Sequence, residues 1–112
     1  MTAIRISDLR RYVRDLMERQ GLSAQDCETM AEIYTETTLR GVGHHDIHNL
    51  PSRIEALRSG RVQARPSYQK LASLGALERW DGGNGLGELI NHFSMQRAID
   101  LAQEHGMGLC TV

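Results

Sequence analysis

Aromatic residues are scarce in this chain: one Trp, three Tyr and one Phe in 112 residues. The core must therefore be modest and built from Leu, Ile, Met and Ala. Cysteine is scarcer still. Cys27 and Cys110 lie far apart with no C-x-x-C pair, so they read as buried thiols of a protein in a reducing cytoplasm. No apolar run approaches the length of a bilayer span, so no membrane partner is expected. The opening MTAIRISDLRR lacks the apolar run and small-residue cleavage site of a secretory signal. Charge of one sign is also missing. Thirteen Lys and Arg against fourteen Asp and Glu leave a formal charge of -1, which gives no electrostatic case for nucleic acid or an anionic lipid surface.

What is present is ordinary globular material, with 40% hydrophobic and 24% charged residues, enough for one domain or part of a larger one. ISDLRRYVRDLMERQG reads as an amphipathic helix with Ser7 as N-cap, Asp8 in the first turn and Gly21 as the stop. Leu9, Tyr12, Val13, Leu16 and Met17 make its apolar stripe. LSAQDCETMAEIYTETTLRG repeats the design: Ser23 caps, Gly41 ends it, and Cys27, Met30, Tyr34 and Thr38 share a face. The short link between the two predicts an antiparallel pair. A third helix is expected from Pro51 to Ser59, with Leu50, Ile54 and Leu57 on its inner edge. Arg61 to Ser67 reads as an exposed connector.

From Tyr68 the pattern changes. YQKLAS and ALERW are two candidate strands around a turn at Leu74-Gly75. DGGNGLG is a glycine-rich turn, ELINHFSMQRAIDLAQEHG a long helix, and MGLCTV an apolar run suited to a buried, central strand. Strand, helix and strand in that order imply a βαβ unit with a parallel pair. The expected fold class is α/β, appearing as α+β over this stretch, with an incomplete sheet. The expected organisation is a helical segment with a histidine-rich loop over 1–60, then a hairpin and the βαβ start of an α/β domain over 68–112. A central strand at the last residues leaves a parallel sheet uncovered, so the rest of the domain is expected to be absent.

Two stretches carry candidate chemistry. Gly82, Gly83, Gly85 and Gly87 form a G-x-G-x-G turn between a strand and a helix. The dinucleotide fingerprint requires G-x-G-x-x-G and an acidic residue after the next strand, and neither is met. The glycines are expected to bend the chain. The second stretch, GVGHHDIHNLPSR, holds three of the five histidines. His44, Asp46 and His48 offer a divalent-metal reading. A histidine between helices can equally donate a proton to a carbonyl oxygen, with Asp46 orienting an imidazole. A solvated polar loop is the third reading.

The order of motifs resembles the N-terminal part of the malate/L-lactate dehydrogenase family, NAD(P)-dependent 2-oxo acid reductases unrelated in fold to the Rossmann lactate dehydrogenases. The resemblance covers nearly the whole chain. It is strongest at Asp81, Asn84-Gly85-Leu86-Gly87 and His105-Gly106-Met107-Gly108, where it looks most like the 2,3-diketo-L-gulonate reductase branch. The family has R-G-V-x followed by Ser-His-Gly, a variable pair, Arg and an apolar residue before Pro. Arg40-Gly41-Val42-Gly43 leads here into His44-His45-Asp46, then Ile47-His48-Asn49-Leu50-Pro51. The resemblance therefore places His45 on the catalytic proton donor, with His44, His48, Asn49 and Arg53 around the substrate. His44 replaces the motif serine, Asp46 the glycine, and Asn49 a substrate-contacting arginine. Arg53, four residues on, is the expected substitute for that arginine. Asp46 beside His45 is expected to favour its imidazolium.

The resemblance implies a cytoplasmic oxidoreductase and a homodimer. It takes a small keto or hydroxy acid as substrate and NAD or NADP as cofactor, whose binding segments lie outside this chain. It assigns no metal. The alternative is a non-catalytic remnant that binds or dimerises through its unfinished sheet, and a weaker one is a metal site of His44, Asp46 and His48.

Overall fold

Ser23 does what its position predicts. In the computed structural model, which describes residues 3–112, its side chain accepts the backbone N–H of Asp26 at 3.1 Å and opens helix α2, Ala24–Leu39. That bond satisfies one of the donors a helix start leaves unpaired. Ser23→Ala is expected to cost about 1 kcal/mol, read as a Tm lowered by roughly 4–8 °C in thermal denaturation.

The preceding helix, α1 (Ile6–Arg19), starts two residues earlier than expected. Its N-cap is Arg5, with no side-chain cap, and Ser7 lies inside the first turn. Asp8 organises the start instead, accepting from Arg5 Nε at 2.9 Å and Arg11 Nη2 at 3.0 Å. The inward stripe is narrower than the five residues predicted. Leu9, Val13 and Met17 are buried, whereas Tyr12 is 57% exposed. A ring at that position sits on the flank of the stripe.

Gly21, at φ 89°, turns the chain back into α2, since only glycine takes that conformation without steric cost. The two helices pack together, and Arg14 bridges them to Glu28 at 3.1 Å. Their core comprises Leu9, Val13, Met17, Leu22, Cys27, Met30, Ala31 and Tyr34. A single 3-10 turn (Ile47–Asn49) leads straight into α3, Leu50–Arg58, with Pro51 in its first turn. Leu50 is buried, and Ile54 and Leu57 are half-buried. These elements form the first of two compact units, which runs through Arg65.

The second unit, Pro66–Val112, is a three-stranded sheet carrying one helix. Strand β1 (Gln69–Leu74) pairs antiparallel with β2 (Leu77–Asp81). The two-residue turn is Gly75-Ala76, one position later than predicted, with Gly75 at φ 55°. Helix α4 (Gly87–His105) then returns the chain to β3 (Leu109–Thr111), which runs parallel to β2. The βαβ unit is as expected. The sheet order β1-β2-β3 gives β3 a single neighbour among the described residues, in keeping with an incomplete sheet, and the strand is not buried within this chain. With one neighbour it keeps an open side, and Leu109 is 55% exposed.

The two faces of the sheet differ. Leu74, Leu77 and Leu109 are register partners in one row, and all three are exposed. Side chains alternate across a strand, so Glu78 and Cys110 point the other way, toward α4. Gly108 lets the chain close on that helix. A Cβ there would meet the Ala98 carbonyl oxygen, and Leu101 Cβ at 2.8 Å.

Candidate active site

The histidine loop is anchored from α2. Thr38 Oγ1 donates to the Tyr34 carbonyl at 2.6 Å and accepts the backbone N–H of Ile47 at 3.2 Å. One hydroxyl thus ties the far side of the loop to the helix it leaves. Gly41 at φ 69° makes the exit turn, and His45 N–H closes a second turn on the Val42 carbonyl at 2.9 Å. The sequence pattern marks Thr38 only as a member of an apolar face. Thr38→Val is expected to strand the Ile47 N–H at a cost of about 1–3 kcal/mol. Hydrogen exchange would report it as faster exchange at Ile47 with α1 unaffected.

Asp46 caps the 3-10 turn. Its Oδ1 accepts the backbone N–H of His48 at 2.9 Å and pairs with His48 Nδ1 at 2.7 Å. The carboxylate is buried, while the His48 side chain is 82% exposed. The backbone N–H of His48 first, and its ring second, hold the Asp46 carboxyl below the usual carboxylate range. The partner of Asp46 is therefore His48 and not His45 as expected. The cap points the carboxylate forward along the chain, two residues on.

His44 and His45 are both exposed and stack against each other, ring centroids 4.4 Å apart and planes at 53°. His44 and His48 do not share a helical face, because the helical turn begins only at Ile47. Among the described residues no group of three or more His, Cys, Asp or Glu is arranged to hold a metal ion, so the His44, Asp46 and His48 trio is not assembled. Asn49 is half-buried and its Oδ1 accepts from Ser52 Oγ at 2.8 Å. Arg53 is half-buried in α3, one turn beyond Asn49.

The glycine turn is filled by the chain itself. A Cβ on Gly83 would meet the Ser67 carbonyl oxygen at 2.6 Å, and one on Gly85 would meet Pro66 Cγ at 2.7 Å. One on Gly82 would meet Ile90 Cδ1 at 2.8 Å. These glycines make room for neighbouring protein. Both cysteines are free, and burial pushes each thiol up, the inert character expected of structural thiols.

A buried polar cluster on the α4 side of the sheet went unread in the sequence. Glu78 Oε1 accepts from Arg97 Nη2 at 2.8 Å and lies 3.0 Å from Lys70 Nζ. Its Oε2 accepts from Arg97 Nε at 3.0 Å and Trp80 Nε1 at 2.8 Å. The forked Arg97 bonds are the main reason the Glu78 carboxyl falls from 4.5 to about 2. Trp80 in turn packs edge-on against Phe93, 4.9 Å between centroids.

The residue pattern of malate/L-lactate dehydrogenases matches residues 4–112. The chain belongs to the malate/L-lactate dehydrogenase family. Among curated members of that family branch, 2,3-diketo-L-gulonate reductase of Klebsiella pneumoniae is 31% identical over 106 residues, covering 95% of this chain and 32% of the relative. The Citrobacter koseri protein of the same name is 39% identical over 100 residues, 88% of this chain and 29% of the relative. The chain thus spans about a third of the length of the curated relatives it matches. Malate dehydrogenase from Pyrococcus horikoshii OT3 has the same fold over 97% of this chain and 31% of that one, with TM-score 0.94 and 24% identity. Sulfolactate dehydrogenase from Methanocaldococcus jannaschii matches 91% of this chain and 30% of that one, with TM-score 0.86 and 24% identity. The expected non-Rossmann malate/L-lactate dehydrogenase fold is therefore the fold observed. Among the described residues no helix is long and apolar enough to cross a membrane.

Proposed function

We propose that this chain is the N-terminal part of an NAD(P)-dependent oxidoreductase that reduces a 2-oxo acid or related keto compound, with His45 as the proton donor. The observation that carries the reading is the histidine loop itself. His45 occupies the motif position of the family's catalytic histidine and is exposed, on a loop fixed at Thr38, Asp46 and Asn49. Hydride arriving at a carbonyl carbon leaves negative charge on its oxygen. An imidazolium within reach neutralises that charge by giving up its proton. His44, His48, Asn49 and Arg53 surround the substrate end in this reading, with Arg53 the candidate partner for its carboxylate. The nicotinamide cofactor supplies the hydride, and no residue of this chain is assigned to it.

The domain boundaries follow the same reading. The helical segment over 1–60 carries the substrate end, and 68–112 begins a sheet that the remainder of the family domain completes. The exposed row Leu74, Leu77 and Leu109 is the surface that remainder would cover. The test joins this chain to the C-terminal part of the Klebsiella pneumoniae reductase and follows NADH or NADPH oxidation with a panel of keto acids. Turnover by the joined protein and none by the 112-residue chain is the expected result. Turnover by the chain alone, or none by a joined protein that folds, would contradict the reading.

The same leucine row favours a second reading, a binding or dimerisation module without catalysis. Sedimentation of the chain, with Leu77→Lys as the comparison, separates the two. A dimer that Leu77→Lys dissolves, together with an inactive joined protein, selects the module.

A further inference from the structure

We propose that Asp46 is a positioning residue for a second acid–base group, His48, whose Nε2 exchanges protons at the same substrate end as His45. The inference rests on the proposed function for where the substrate lies, but the pair itself is independent of it. Asp46 is a buried carboxylate, 6% exposed, and its Oδ1 makes two bonds to a single residue, His48 N–H and His48 Nδ1. An ionised carboxylate only accepts, so the ring nitrogen facing it at 2.7 Å is the donor. In the neutral ring the proton is therefore on Nδ1, and Nε2 carries the lone pair on a ring that is 82% exposed. The backbone bond adds rigidity, because the cap holding the 3-10 turn is the atom orienting the ring. A base oriented by a third group is a recurring arrangement in acid–base and nucleophilic chemistry. Nε2 takes a proton to become imidazolium, or returns it, while Nδ1–H remains on Asp46, which does not itself take the proton.

His45 has no such support. Its ring contact is with His44, so orientation and reach are divided between two imidazoles on one loop.

The test has two arms. On the 112-residue chain, nitrogen NMR should find neutral His48 protonated at Nδ1 alone. Diethyl pyrocarbonate, mapped by mass spectrometry, should modify His48 Nε2 severalfold faster than His44. Asp46→Asn keeps an acceptor oxygen for the cap but removes the charge. It should slow the reaction at His48 and leave His44 and His45 unchanged. Equal rates at the three histidines, or a His48 rate indifferent to Asp46→Asn, would overturn the pair.

On the joined protein, His48→Gln and Asp46→Asn should each lower kcat by about 100-fold, at the low end for a general acid or base, and the double variant should lose no more than either alone. Losses that add fully, or an unaffected kcat, would remove the catalytic role. If the joined protein turns nothing over, the proposed function fails, while the oriented pair stands or falls on the first arm.

Discussion

Arg97→Ala is expected to destabilise the C-terminal unit by about 3 kcal/mol, the lower end for breaking a buried ion pair by removing one partner. Glu78 is the reason. Its side chain is 3% exposed and accepts two Arg97 bonds, so deleting the guanidinium leaves a buried charge without its main counter-charge. Lys70, 43% exposed at 3.0 Å, remains as a partial substitute, which keeps the loss from being larger. The lone tryptophan is a built-in reporter, because Trp80 Nε1 donates to the same carboxylate. Urea denaturation followed by tryptophan fluorescence should show a lowered midpoint with an unchanged slope. An unchanged midpoint would mean that the cluster contributes nothing.

The acid dependence follows with a definite sign. Glu78 is depressed from 4.5 to about 2 in the folded chain. A carboxyl whose folded pKa is lowered contributes stability that is fully present above the unfolded value. It is lost as pH falls from 4.5 toward 2. Arg97→Ala should flatten the stability loss in that window, since the main cause of the depression is gone.

His45→Ala carries the other large effect, on turnover. General acid catalysis contributes about 10²–10⁴-fold, and kcat of the joined protein should fall by that range. Truncating an exposed side chain should leave the stability of the chain within about 0.5 kcal/mol of unchanged. KM for the keto acid should move far less than kcat, because a proton given only in the transition state adds nothing to ground-state binding.

The helices were legible in the sequence because caps and period act locally. Ser23, Gly21 and Gly41 mark ends that physics places within a few residues, and Leu9, Val13 and Met17 repeat at four-residue spacing. Tyr12 shows where that logic stops, since a stripe's width depends on what packs against it. The Glu78–Arg97 bonds were invisible for a different reason: the partners are nineteen residues apart and meet only once β2 and α4 are in register. At the loop, the family motif singles out His45 as a candidate, but the pairing of Asp46 did not follow from adjacency. Its carboxylate turns toward His48 because a 3-10 turn begins there, a choice made by backbone geometry.

The most direct measurement of the central claim is single-turnover hydride transfer by the joined protein, read from NADH or NADPH absorbance with enzyme in excess over keto acid. It isolates the chemical step from product release. Transfer is expected with His45 present, and at a rate reduced by about 100-fold or more in His45→Ala. An equal rate in the two proteins would contradict the claim.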